Sequence, residues 1–202
     1  MRYSAVLVSA LAGVSLSCDQ WLGFRTPTEY ETRSIDEIYA AALAEGGSVT
    51  LWHGGDEKYQ QDRMKAAFEA RFPGMKLNST VDLSKYHDVR IDEQLASGRQ
   101  GVYVDSIILQ TLHDYPRWAA DGALLNYAPL GFEAVHDAFK DIDAAWYSVY
   151  VISWSGAWNS AKLPGIAPPV EYTDFLKPEF KDKLVLTYPN DDDAVLFAYH
   201  LM

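Results

Sequence analysis

The chain has 202 residues, 49% of them hydrophobic and 13% aromatic, with a formal charge of −11 and a pI near 4.8. That composition belongs to a folded globular chain, long enough for one full domain or two small lobes, and it excludes a disordered segment. The acidic balance repels polyanions, so nucleic acid is excluded as a partner.

Residues 1–17 read as a secretory signal peptide. Arg2 is the only early charge, Ala5 to Leu16 is apolar or small, and Ser15-Leu16-Ser17 has the small-x-small form of a cleavage site. The stretch falls short of the about 20 apolar residues that a membrane-spanning helix needs. No membrane span is therefore expected, and the mature protein is expected outside the cytoplasm. Cys18 is the lone cysteine, which excludes an internal disulfide. It follows the cleavage pattern, but Ser15 stands where a lipobox would carry Leu, which argues against lipidation. Residues 18–33, with Pro27, several Thr and mixed charge, read as a surface linker. Asn78-Ser79-Thr80 is a glycosylation sequon, meaningful only in a eukaryotic source.

Ser34-Ile-Asp-Glu37 is a capping box that opens a helix, with Ile35, Ile38, Ala42 and Leu43 as its apolar stripe and Gly46-Gly47 as its end. Ser48–His53 reads as the first strand. Lys58–Phe72 reads as a helix, with Met64, Phe68 and Phe72 on one face and Pro73-Gly74 as its stop. Met75, Leu77, Ser79 and Val81 alternate with polar residues, which predicts a second strand over 75–81. Lys85–Ser97 reads as a helix with Ile91 and Leu95 inward, closed by Gly98-Arg-Gln-Gly101. Val102–Leu109 is a near-continuous apolar run suited to a parallel strand covered on both faces, and Gln110–Ala120 returns to helix. Three strand–helix alternations predict βαβ units and a parallel sheet.

Beyond Gly122 the pattern changes. Ala144–Trp158 carries Trp146, Tyr147, Tyr150, Trp154 and Trp158, and reads as one or two strands whose aromatics belong to a core more often than to a stacking site for sugars or cations. Lys162–Pro169 breaks structure. Tyr172–Leu176 reads as a short helix, Leu184–Thr187 as a strand, and the residues after Asp193 as a final helix. The domain division expected is signal 1–17, linker 18–33, first lobe 34–145, and crossover with an incomplete second lobe over 146–202.

Three strand-to-helix junctions carry the candidate chemistry: His53-Gly54-Gly55, Leu109-Gln110-Thr111 and Tyr188-Pro189-Asn190-Asp191. Ligands in open α/β sheets sit at the carboxyl ends of strands, free helix-start amides point there, and Gly54-Gly55 leaves the backbone open to close approach. Each junction alone reads more readily as a capped loop than as a site; three converging junctions shift the balance towards a site. Asp191-Asp192-Asp193 lacks EF-hand spacing, so Asn190 or Asp191 reads as a helix cap with the other acids complementing the helix end, in preference to a metal site. If these acids contact a ligand, it is a cation or a polar neutral molecule. There is no G-x-S-x-G elbow, no phosphate-binding loop, no dinucleotide fingerprint and no H-E-x-x-H, so no catalytic residue, resident metal or cofactor is expected.

The segments SIDEIYAAALAEGGSVTLWHGG, QLASGRQGVYVDSIILQT, RWAADGALLNY and FLKPEFKDKLVLTYPNDDDAVL, with the WNS at 158–160, resemble extracellular solute-binding proteins. These are the capture subunits of ABC importers, with the type II periplasmic-binding-protein fold, and the likeness runs from about Ser34 to Met202, in particular to the subgroup that includes ferric-iron binders. The resemblance implies a two-lobe α/β clamshell that binds a small molecule or ion and does not catalyse. It places His53, Gly54, Gly55, Gln110 and Thr111 on the cleft from lobe one, and Tyr188, Asn190, Asp191 and Asp192 from lobe two. It implies a monomer delivering to an ABC permease in a bacterium, or a secreted binder in a fungus, where no importer need be the partner. Ferric-binding relatives use two adjacent tyrosines late in the chain; this sequence has no such pair, so iron is not supported. Family members also continue past this point, so the chain is expected to be truncated within its second lobe. The rivals are a secreted α/β hydrolase-like enzyme and a truncated remnant that binds nothing.

Overall fold

The computed structural model describes residues 27–97 and 103–201. The signal-peptide reading, Cys18, most of the linker reading and the Gly98–Gly101 loop lie outside the described residues.

The fold is α/β with parallel strands. Strand β1 (Glu29–Tyr30) is followed by α1 (Ile35–Ala44), β2 (Ser48–Gly54), α2 (Asp62–Arg71), β3 (Lys76–Asp82), α3 (Ser84–Ala96), β4 (Ser106–Ile108), α4 (Asp114–Ala120), β5 (Tyr127–Ala128) and α5 (Asp193–His200). The capping box forms as expected: Ser34 accepts from the Glu37 amide, and Glu37 accepts from the Ser34 amide at 2.7 Å. Gly47 ends α1 with φ 67°, and a Cβ there would lie 2.8 Å from the Gly74 carbonyl. Both reasons require glycine.

The main sheet has the order β3-β2-β4, all parallel, with Leu51 opposite both Ser79 and Ser106. Strand β2 is central because Leu51 and His53 face the interior, and a strand with neighbours on both sides leaves no backbone edge to water. On β3, Met75 and Leu77 are buried while Lys76 and Asn78 are exposed, which is the alternation legible in the sequence. The order means that the chain leaves β2 in one direction, to β3, and then crosses back to β4. The right-handed rule for such crossovers puts α2 and α3 on opposite faces. Tyr39 of α1 meets Phe72 at the end of α2, ring centroids 5.3 Å apart, on one face. On the other, Ile91, Trp118 and Ala123 form the core cluster, packed by Trp52, Leu95, Ile107, Leu109, Tyr115 and Leu124.

Several expected elements differ. Helix α2 starts at Asp62, not Lys58, and α4 at Asp114, not Gln110; the residues before each form turns that bring the chain off the strand end. Strand β4 is confined to 106–108. The linker reading of 18–33 missed β1, which pairs in parallel with β5. No strand forms over 144–158: Tyr147 makes one isolated antiparallel bridge to Lys140. Leu184–Thr187 is likewise unpaired, with Val185 96% exposed. Both segments have strand-like composition, but a strand needs a partner for its amides, and none of the described residues supplies one. The aromatics of 146–158 therefore differ from the core reading, with Tyr147, Tyr150, Trp154 and Trp158 between 39% and 49% exposed.

Candidate functional site

The sheet order reverses at β2, so the crevice of this fold lies at the carboxyl ends of β2 and β4, where their loops part. His53-Gly54-Gly55 ends β2 and Gln110-Thr111 follows β4, so the structure brings two of the three sequence-predicted junctions together.

His53 is 4% exposed. Its Nδ1 lies 2.6 Å from the Gly54 carbonyl oxygen; a carbonyl can only accept, so Nδ1 carries the proton. The ring lies nearly parallel to that of Tyr150, centroids 6.4 Å apart. The Gly55 amide donates to the Asp82 carbonyl at 2.9 Å. A Cβ on Gly55 would collide with the Gln60 amide group and come 2.9 Å from Val81 Cγ1. The open space that Gly55 suggests in sequence is thus occupied by the protein's own Gln60, whose Oε1 also accepts from the Glu57 amide at 3.0 Å.

The end of β4 is held by two hydroxyls. Tyr115 Oη accepts from the Leu109 amide at 2.9 Å, and Ser84 Oγ accepts from the Gln110 amide at 3.0 Å. Burial pushes the Tyr115 phenol up to about 12, so it stays neutral. Thr111 is 3% exposed, and its Oγ1 has no hydrogen-bond partner among the described residues.

The third junction reaches the first two through α3. Lys85 Nζ donates to the Asn190 carbonyl at 2.7 Å, so the Pro189–Asp191 turn lies against the start of α3. Asn190 and Tyr188 are exposed. Asp192, not Asn190 or Asp191, caps α5: its Oδ1 accepts from the Val195 amide at 3.0 Å. The rule was right, but the cap falls one residue late because Pro189 sets a 3-10 turn over 189–191.

Acids dominate the region between α3, α4 and α5. Burial, then repulsion by Asp114 and Asp193, pushes the Asp88 carboxyl up to about 6, and its Oδ1 is buried without a hydrogen-bond partner among the described residues. Burial, then Asp192 and Asp114, also raises Asp193. His87 is fully buried, stacks on Trp52 at 5.1 Å, and is held neutral mainly by burial. Among the described residues no group of three His, Cys, Asp or Glu side chains could hold a metal ion. No described helix is long and apolar enough to cross a membrane.

A second feature lies beside the junction. A cavity of about 1180 Å³ is walled by β4, α4, the aromatic segment around Trp146–Trp154 and α5. Gln110 is the one predicted site residue on its wall. The wall is mostly apolar, with Gln110 and Tyr115 among its polar members.

Sequence reasoning missed Ser84, Lys85 and Tyr115. The signal available was position: Ser84 and Lys85 follow directly on β3, at the same edge of the sheet as the two junctions that were singled out.

With this geometry in hand, the C-terminal part of the chain has an assignment by likeness. Residues 116–202 match the family model of bacterial extracellular solute-binding proteins. The match holds most of α4, the aromatic segment, the Tyr188–Asp192 junction and α5. No curated protein matches the chain.

Proposed function

We propose that this chain is an extracytoplasmic solute-binding protein that captures a small ligand between two lobes. It serves ABC-type uptake if its source is a bacterium, or acts as a secreted binder in a fungus, and it binds rather than catalyses. The observation that carries this reading is the family match over 116–202, which supports an extracellular solute-binding role and includes one of the three junctions. The ligand would meet His53, Gly54, Gly55, Gln110 and Thr111 from one side and Tyr188, Asn190, Asp191 and Asp192 from the other. The carboxylates of α3, α4 and α5 favour a cation or a polar neutral ligand over an anion.

The hydrolase alternative needs a nucleophile hydrogen-bonded to a base. Among the described residues no hydroxyl or thiol is hydrogen-bonded to a ring nitrogen of His53 or His87, so no nucleophile–base pair is formed, which favours binding.

Thermal melts of the protein, alone and with ferric iron, polyamines, sugars and small organic acids, test the proposal. A ligand present at a hundred times its Kd should raise Tm by about 5–10 °C, because it binds only the native state. Identical melts under every condition would sink the reading.

A further inference from the structure

We propose that Ser84 and Lys85, the first two residues of α3, are the positioning residues of the candidate cleft, a single anchor that sets the β2–α2 loop, the β4–α4 loop and the Pro189–Asp191 turn relative to one another. Its ligand role rests on the solute-binding reading above; its geometry does not.

Ser84 is 4% exposed and works in two directions. Its Oγ accepts from the Gln110 amide at 3.0 Å, which fixes the first residues of the β4–α4 loop. The same hydroxyl fills the space beside Gly54. A Cβ at Gly54 would collide with Ser84 Oγ and lie 3.4 Å from Ser84 Cβ and 3.6 Å from the Ile108 carbonyl oxygen. Gly54 is not among the residues with positive φ. It is glycine because a side chain arrives there, not because the backbone needs an unusual conformation. The feature that reads in sequence as room for a ligand is thus the seat of a serine.

Lys85 comes next in the helix, turned about 100° from Ser84. While the serine points into the sheet end, the ammonium crosses to the Asn190 carbonyl at 2.7 Å. Three segments distant in sequence therefore take their mutual positions from two consecutive side chains. A charge-assisted bond and a close-packed hydroxyl both tolerate little displacement.

The test is a double-mutant cycle in the full chain. Gly54→Ala should lower Tm by about 5 °C, because the new methyl meets Ser84 Oγ. In a Ser84→Gly background the same change should cost markedly less, since its obstacle is gone. Ser84→Ala should speed exchange of the Gln110 amide proton about tenfold and shift its NMR signal, with Ser84→Thr restoring both. Putrescine, glucose, malate and ferric citrate then serve as binding probes. For any probe that shifts the wild-type melt, Ser84→Ala and Lys85→Met should each weaken binding by at least about tenfold, although neither side chain is assigned a ligand contact. Additive effects in the cycle with an unchanged Gln110 amide would overturn the anchor, as would undiminished probe binding in both variants. A coupled cycle with no probe shifting the wild type would leave the anchor standing and overturn the solute-binding reading alone.

Discussion

Two adjacent glycines at the end of a strand can share one reason with different neighbours, and Gly54 and Gly55 show it. Each lacks a side chain because a neighbour, Ser84 or Gln60, occupies the space. A sequence shows that room is needed there, but not what fills it. Trp118 is the opposite case, since its burial is complete and its role is packing. Its indole N–H donates to Asp92 at 2.8 Å, and Asp92 also holds both Arg117 amino groups. Trp118→Ala removes the largest member of the core cluster and orphans part of that network. It should destabilise by about 3–5 kcal/mol, seen as a fall in the denaturation midpoint without a change of fold by circular dichroism. His87 could not be read from sequence at all: a histidine on an amphipathic helix looks the same whether it faces water or stacks under Trp52.

At the scale of elements, local signals were legible wherever the element satisfies itself. Helix α1 has its own cap and its own stop, and both stand where the residues place them, whereas of its apolar stripe only Ile38 and Ala42 are half-buried and Ile35 and Leu43 are exposed. Helix α5 is similar, capped by Asp192. Asp192→Ala should lower stability by about 1 kcal/mol and fray α5, measurable as faster amide exchange over 194–198 with α1 unaffected. If the carboxylate instead serves mainly a ligand, the variant will melt like the wild type and lose only binding. Strands behave otherwise. Val149–Ile152 and Leu184–Thr187 have β composition but no ladder, whereas Glu29–Tyr30, with little signal of its own, is a strand because Tyr127–Ala128 lies beside it. Propensity proposes a strand, and a partner decides it.

Over the whole molecule the acids pull stability in two directions with pH. Glu31, hydrogen-bonded by Arg33 and Tyr127, and Asp174, hydrogen-bonded by the Glu171 amide and by Lys177, are held well below the usual carboxylate range. Their contribution is present above about pH 4 and is lost as pH falls. Asp88 is the reverse. Raised to about 6 by burial and by its neighbours, it contributes most in the protonated form, below its unfolded value, and that contribution is lost as pH rises through the folded one. Tm should therefore peak near about pH 4, decline to about pH 6 and flatten above it. Asp88→Asn should flatten that decline, which circular-dichroism melts across the range would detect. A wild-type Tm that rises steadily to pH 7.5 would show that Asp88 ionises at no cost.

The parallel βαβ order, the capped helices and the approximate place of each loop follow from the sequence by itself, because hydrophobic period, caps and glycine stops act within a few residues of one another. The acidic character of the C-terminal junction is equally local. Which loops meet was decided by tertiary structure: the 3-2-4 strand order brings His53 beside Gln110, and the start of α3 reaches Asn190 with an ammonium. Those are contacts across tens of residues, and their strength depends on burial and on a partner's exact distance. Neither quantity is carried by any one segment of the chain.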